Sequence, residues 1–257
     1  MSDSPSRIHT PGSAWNSLRR YTKARIALPH TGASLSTQEV LNFDMAHACA
    51  RDAVHVALDV DLLEQSLMAS GFAAIRAQSR AITRAQYLQR PDLGRQLAPE
   101  CAARLTPAEA RANTLTIVIA DGLSSVAVAR HAVPLLTEIR RSIAGWEWDA
   151  IVIATQARVA LGDQIGALRH STAVIVLIGE RPGLSSPDSL GIYMTYGPRP
   201  GLTDSDRNCI SNVHPGGLPY YEAAFRLAYL LQQSQQLGKS GIEVKDLSSA
   251  QDTLPSR

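Results

Sequence analysis

The run LTIVIA at residues 115–120, which ends in Asp121-Gly122, decides the fold class. It is short, rich in β-branched residues and almost wholly apolar, and so are the later runs AIVIA (150–154) and AVIVLI (173–178). Helical patterns separate the three runs. Continuous apolar strands that alternate with helices indicate a parallel sheet covered on both faces. Residues from about 106 onward are therefore predicted to form a Rossmann-like α/β domain.

The 257 residues leave room for this domain and a smaller preceding region. Upstream of it the pattern is helical, with no confident strand, although VHVALDV (54–60) fits either a strand or a helix. The first residues are rich in Ser and Pro and are expected to be disordered. The predicted division is an N-terminal tail (1–14), a mainly helical region (15–105), the α/β domain (106–245) and a C-terminal tail (246–257).

Composition excludes several classes of protein. A net charge of +2 gives no reason to expect nucleic acid as a partner, and no apolar run is long enough to span a membrane. The N-terminus has no apolar signal core. Three widely spaced cysteines argue against a disulfide framework and a structural zinc site, so a reducing cytosol is the expected compartment.

Topology indicates where a ligand would bind. In an open α/β sheet, ligands lie beyond the carboxyl ends of the strands. Four loops are expected along that edge: Asp121-Gly122, residues 156–162, residues 179–183, and the segment after Tyr196, which ends a weaker fourth strand (191–196). Neither G-x-G-x-x-G nor a P-loop is present, which argues against an independent Rossmann oxidoreductase.

Several residues near these loops are candidates. Asp121 is interpreted as a turn or cap residue before the next helix, whereas Glu180, in a Gly/Pro loop, is as consistent with function as with pairing to Arg181. His214 lies in NVHPGG, close to the D-x-H-x-x-G pattern in which a protein histidine ligates the cobalt of cobalamin. Asn212 replaces the orienting Asp, so a turn histidine is the favoured interpretation. Cys209 is by default a small buried residue.

Several motifs are more specific. IGERPGL (178–184), DRNCISNVH (206–214) and YLQRPDLGR (87–95) occur with ADGLS (120–124) and with Arg158-Val159 followed by DQIG (163–166). In order and spacing, from about residue 14 to 244, this set resembles the small subunit of ethanolamine ammonia-lyase.

The resemblance implies a function. With a large subunit, such a chain binds adenosylcobalamin, whose own base stays on cobalt, and ethanolamine is deaminated to acetaldehyde and ammonia by a radical route. The large subunit, a (β/α)8 barrel, carries the main catalytic groups, and six copies of each subunit assemble. The resemblance implies no catalytic residue and no metal ligand on this chain, and cobalamin contacts at Val159, Glu180 and Cys209. The substrate class is vicinal amino alcohols.

Two expectations stay open. Some members of the family carry an N-terminal amphipathic extension that directs the complex into a bacterial microcompartment. Here the residues before Trp15 are too few and too polar for it, so a cytoplasmic location is expected unless the large subunit directs encapsulation. The alternative function is a non-catalytic corrinoid-binding module, for which residues 212–217 are the best support.

Overall fold

The computed structural model describes residues 18, 21–22, 24–26, 28, 30–105 and 113–248. The tail predicted at residues 1–14 lies outside the described residues, as do residues 249–257 of the predicted C-terminal tail. The strands are β1 (His30–Thr31), β2 (Ser34–Leu35), β3 (Ala74–Gln78), β4 (Thr114–Ala120), β5 (Glu147–Trp148), β6 (Ile151–Thr155), β7 (Ala173–Gly179), β8 (Leu190–Tyr196) and β9 (Asn208–Val213). The α-helices are α1 (Thr37–His55), α2 (Val60–Ala69), α3 (Arg84–Gln89), α4 (Pro99–Leu105), α5 (Ser125–Ser142), α6 (Leu161–Leu168) and α7 (Tyr220–Leu237).

A seven-stranded sheet in the order β3-β6-β4-β7-β8-β9 forms the centre, with short β5 paired to the start of β4. The α/β class predicted from the sequence is confirmed. Strands β3, β6, β4 and β7 run parallel, but β8 and β9 are antiparallel to their neighbours, so the sheet is mixed. The physical reason lies in residues 180–189, which contain no helix. A parallel return needs a crossover of about a dozen residues or more, usually helical, whereas an antiparallel return does not.

Helices cover both faces of this sheet, as predicted. All seven residues of β4 and all seven of β7 are buried, because their side chains alternate between two cores. On one face, α2, α5 and α7 pack against residues such as Ile117 and Ile175. On the other face, α4 and α6 pack against residues such as Val118 and Val176.

The N-terminal region is partly helical and contains α1 to α4. Side chains of Ser36 and Asp59 cap α1 and α2 by accepting the N–H groups of Glu39 and Leu62. The ambiguous segment 54–60 is no strand, since α1 ends at His55 and α2 begins at Val60. No described helix combines the length and the apolar character that a membrane crossing requires.

The expectation of no confident strand before residue 110 is wrong at the short strands β1 and β2, which form a separate two-stranded sheet, and at Ala74–Gln78. This segment is β3, which pairs in parallel with β6 and forms one edge of the main sheet. Its sequence, AIRAQ, has one β-branched residue and is otherwise composed of good helix formers. Pairing to β6 outweighs that preference, since strand propensity depends strongly on tertiary context.

The antiparallel turn of β8 corrects the predicted ligand edge. Tyr196 pairs with Ala173, so the segment after it begins at the opposite edge of the sheet, and its later residues 202–204 return to line a depression together with Arg158 and Val159. The carboxyl edge instead receives the start of β8, where Leu190 pairs with Gly179, and the end of β9, where Val213 pairs with Leu190. Three of the four predicted loops therefore begin at one edge, and the fourth reaches the same depression through residues 202–207.

Candidate functional site

Asp121 ties two loops together at the carboxyl edge. Its buried carboxylate accepts the N–H groups of Gln156 (2.8 Å) and Ala157 (3.0 Å), and Nη1 of Arg84 lies 3.7 Å away. Burial raises the pKa of Asp121, while these N–H groups and the Arg84 charge oppose that shift. Of the two interpretations of Asp121, the helix cap is wrong, because Ser124 caps α5, whereas the turn residue is confirmed, because Asp121 directly precedes a turn at Gly122 and Leu123. Asp121 fixes the loop between β6 and α6.

The ring of Tyr87 lies between two guanidinium groups, beside the loop that joins β6 to α6. Arg84 and Arg158 place their guanidinium carbons 4.8 Å and 4.5 Å from the ring centroid. The Tyr87 hydroxyl donates to the carbonyl of Ala157 at 3.3 Å, and burial raises its pKa to about 12. Gly94 allows Arg158 to approach, because a Cβ there would lie 2.9 Å from Arg158 Cγ. The motif at residues 87–95 thus forms the surface against which the Arg158 side chain packs.

Two adjoining depressions of about 410 and 450 Å³ form a groove along this edge, which we call the carboxyl-edge groove. Arg158, Val159 and Tyr193 line both depressions. Glu180 and Arg181 line one end, and Arg95, Asp204 and Arg207 line the other. Each depression is in the size range of small-molecule sites.

Glu180 has a structural task that its sequence context does not indicate. Its carboxylate accepts the Ser189 hydroxyl (2.6 Å) and the N–H of Asn212 (3.1 Å), and so joins the start of β8 to the end of β9. These groups, and not Arg181, are its partners. Gly191 leaves space beside it, since a Cβ there would lie 3.3 Å from Glu180 Oε1 and 3.1 Å from Tyr193 Cε2.

The three predicted contact residues surround Tyr193. Val159 lines both depressions, and Glu180 lies next to Tyr193 at one end. Cys209 pairs with Tyr193 across β8 and β9, and its exposed thiol lies 3.3 Å from the Ser211 hydroxyl. The default expectation of a buried Cys209 is therefore wrong. Burial and a hydrogen bond to Cys209 raise the pKa of Tyr193.

His214 is a turn histidine, as expected. Its Nδ1 accepts the N–H of Gly216 at 3.2 Å, and its Nε2 lies 3.0 Å from Asn212 Oδ1 and 3.1 Å from Ser186 Oγ. Both ring nitrogens are thus engaged within the chain. Among the described residues, no group of three or more His, Cys, Asp or Glu side chains is placed to hold a metal ion.

Buried polar atoms without a hydrogen-bond partner concentrate at the groove. In the described part of the chain five such side-chain atoms occur, and four belong to residues in or beside the groove lining: Arg84 Nη2, Gln156 Oε1, Arg158 Nε and Arg207 Nε. Buried polar groups are normally satisfied, so this concentration indicates a place where water or a polar ligand supplies the partners.

Sequence reasoning missed Arg158, Tyr193 and Tyr87 as site residues. Tyr87 and Arg158 both stand in the motifs that carry the family resemblance, which is the one signal that could have selected them. Their cation–π contact joins positions far apart in the chain and leaves no mark in local periodicity.

Comparisons with known proteins agree with the motifs. Residues 12–245 match the family described as ethanolamine ammonia-lyase light chain. The chain is 50% identical over 251 residues to an ethanolamine ammonia-lyase small subunit of Azotobacter vinelandii, covering 96% of this chain and 92% of the relative. Identity to proteins of the same name is 49% over 241 residues in Xanthomonas campestris pv. campestris (92% and 89% covered) and 49% over 243 residues in Bradyrhizobium diazoefficiens (93% and 92%).

The substitution Asp121→Asn tests the tie between the two loops. An amide offers one acceptor oxygen, so its NH2 group would face one of the two backbone N–H donors at Gln156 and Ala157. We expect a loss of about 1–3 kcal/mol in the free energy of unfolding, measured in urea.

Asp59→Asn is the matched control, because Asn caps a helix about as well as Asp and Asp59 only caps α2. Equal stability of Asp121→Asn and wild type would show that the hydrogen bonds from Gln156 and Ala157 to Asp121 do not stabilise the fold.

Proposed function

The chain belongs to the light-chain family of ethanolamine ammonia-lyase, and on that basis we propose that it is the small subunit of such a lyase. With a large subunit it binds adenosylcobalamin and takes part in the deamination of ethanolamine, or a related vicinal amino alcohol, to acetaldehyde and ammonia. The observation that carries the proposal is the similarity over residues 12–245, which spans both the N-terminal region and the α/β domain.

We place the cofactor in the carboxyl-edge groove, whose residues fit its chemistry. The rim of a corrin carries neutral amides, which need both acceptors and donors. The Glu180 carboxylate accepts N–H groups, the guanidinium of Arg158 donates, and Gln156 Oε1 and Arg158 Nε are buried without partners. Val159 adds apolar surface between them.

The groove would cover one edge of the cofactor. A corrinoid is much larger than the ligands that depressions of about 410 and 450 Å³ enclose, so a second surface is needed to exclude water. That surface is assigned to the large subunit, together with the main catalytic groups. When bound, adenosylcobalamin supplies homolytic cleavage of its cobalt–carbon bond. The engaged ring nitrogens of His214 favour a cofactor that keeps its own base on cobalt.

Helix α1 supplies a surface for the large subunit. Of its 19 residues only Ala53 is buried, and Val40, Leu41, Phe43 and Met45 are exposed. A helix this isolated is marginal in water, and exposed apolar patches mark protein contacts. Its last turn is attached to the carboxyl edge, because Arg84 donates to the Val54 carbonyl at 2.7 Å. A partner on α1 would thus also reach the groove.

We further propose that the complex contains six copies of each subunit and resides in the cytoplasm. Entry into a bacterial microcompartment would depend on the large subunit.

An ammonia-release assay tests the function. The chain, the large subunit of the same organism, adenosylcobalamin and ethanolamine are combined, and each is left out in turn. We expect ammonia when all four are present and none when any one is missing. Ammonia formed without this chain would refute the subunit role, and cobalamin bound by this chain alone, without activity in the mixture, would favour the corrinoid-module alternative.

The substitution Leu41→Glu tests the α1 surface. A charge in the exposed apolar patch that contains Leu41 and Met45 should oppose burial against a partner. Co-purification with the large subunit should fall by at least about tenfold, since one buried charge costs more than about 1.4 kcal/mol.

Gln236→Glu is the control for the added charge, because Gln236 is an exposed residue of α7 and not of α1. Equal loss of co-purification in both variants would mean that the effect comes from the added charge and not from the α1 surface.

The substitution Glu180→Gln tests the cofactor contact. A neutral amide accepts hydrogen bonds less strongly than a carboxylate, so cobalamin affinity of the complex should fall by about fivefold to tenfold, measured by spectroscopic titration. Ethanolamine KM should change less. Glu138→Gln, on α5 and paired with Arg141, should leave both values unchanged. A raised ethanolamine KM with unaltered cobalamin affinity would contradict the assignment of Glu180 as a cofactor contact.

A further inference from the structure

The side chain of Arg158 is held in place by its neighbours, but part of its guanidinium has no hydrogen-bond partner. Its stem packs between Gly94 and the ring of Tyr87, and its backbone N–H donates to the Gly94 carbonyl at 2.8 Å. Rotamer freedom is therefore already restricted before any ligand arrives. A preorganised guanidinium loses less entropy on binding than a free surface arginine.

The other buried arginines beside the groove are neutralised, and Arg158 is not. Arg207 is paired with Asp163 and Asp204, and Arg84 with Asp121. Within the described residues Arg158 has no ion-pair partner, and its buried Nε has no hydrogen-bond acceptor. An unpaired, partly buried cation is costly unless a ligand supplies an anionic oxygen.

A planar guanidinium binds a phosphate in a bidentate manner. Resting on the proposed function, we propose that Arg158 binds the phosphodiester in the nucleotide tail of the cobalamin. That phosphodiester is the anionic group of the cofactor, whose rim amides are neutral.

The positions of the charged residues along the groove predict how the bound cofactor is oriented. Arg158 lies in both depressions, Glu180 at one end and the exposed Arg95 at the other. The phosphodiester therefore lies towards Arg95, and the corrin amides lie towards Glu180.

The test compares two ligands on the assembled two-subunit complex. Cyanocobalamin carries the phosphodiester, whereas dicyanocobinamide lacks it together with the ribose and base. In spectroscopic titrations, Arg158→Gln should weaken cyanocobalamin by about tenfold to a hundredfold and cobinamide by less than about twofold. Arg158→Lys should weaken cyanocobalamin less than Arg158→Gln does, because an ammonium keeps the charge but loses the bidentate contact and the stacking on Tyr87. Arg141→Gln, an exposed arginine of α5, is the control.

Four results would overturn the assignment. Equal weakening of both ligands by Arg158→Gln would mean that Arg158 only shapes the groove. Unchanged affinities combined with weaker assembly would mean that it pairs with a carboxylate of the large subunit. If the wild-type complex binds neither ligand, the proposed function fails and this inference falls with it, whereas tight wild-type binding with an unaffected variant refutes this inference alone.

Discussion

The carboxylate of Asp121 is the interaction on which the carboxyl edge depends. It follows β4 and accepts two backbone N–H groups from the loop after β6, so neighbouring strands end in one rigid unit. That loop presents Arg158 and Val159 to the groove. A buried carboxylate with two backbone donors and an arginine is stable only as a complete set, since losing one member leaves a charge or donor unsatisfied.

The N-terminal region, which was predicted to be mainly helical, also contributes to the carboxyl edge of the sheet. It supplies β3 to the main sheet, and its segment 87–95 forms the surface against which Arg158 packs. It also supplies α1, a long helix in which Ala53 is the one buried residue. The same region thus shapes the groove and offers a surface beside it. These features support our proposal that a cofactor is enclosed between the two subunits.

The sequence was informative where local physics dominates. Apolar runs such as 115–120 and 173–178 identified the central strands. It was uninformative where distant partners decide. β3 has helix-forming residues and is a strand because β6 pairs with it. The sandwich of Tyr87 between two arginines joins distant parts of the chain. The direction of β8 could have been predicted, since no helix precedes it.

Amide hydrogen exchange of the two-subunit complex, with and without cobalamin, tests the central claim most directly. The account predicts slower exchange at residues 156–160 and 180–183 when cobalamin is present, because these loops line the carboxyl-edge groove. Residues 145–150, at the opposite edge beside the start of β4, should exchange at the same rate in both samples. Protection at 145–150, with none at the groove loops, would contradict the account.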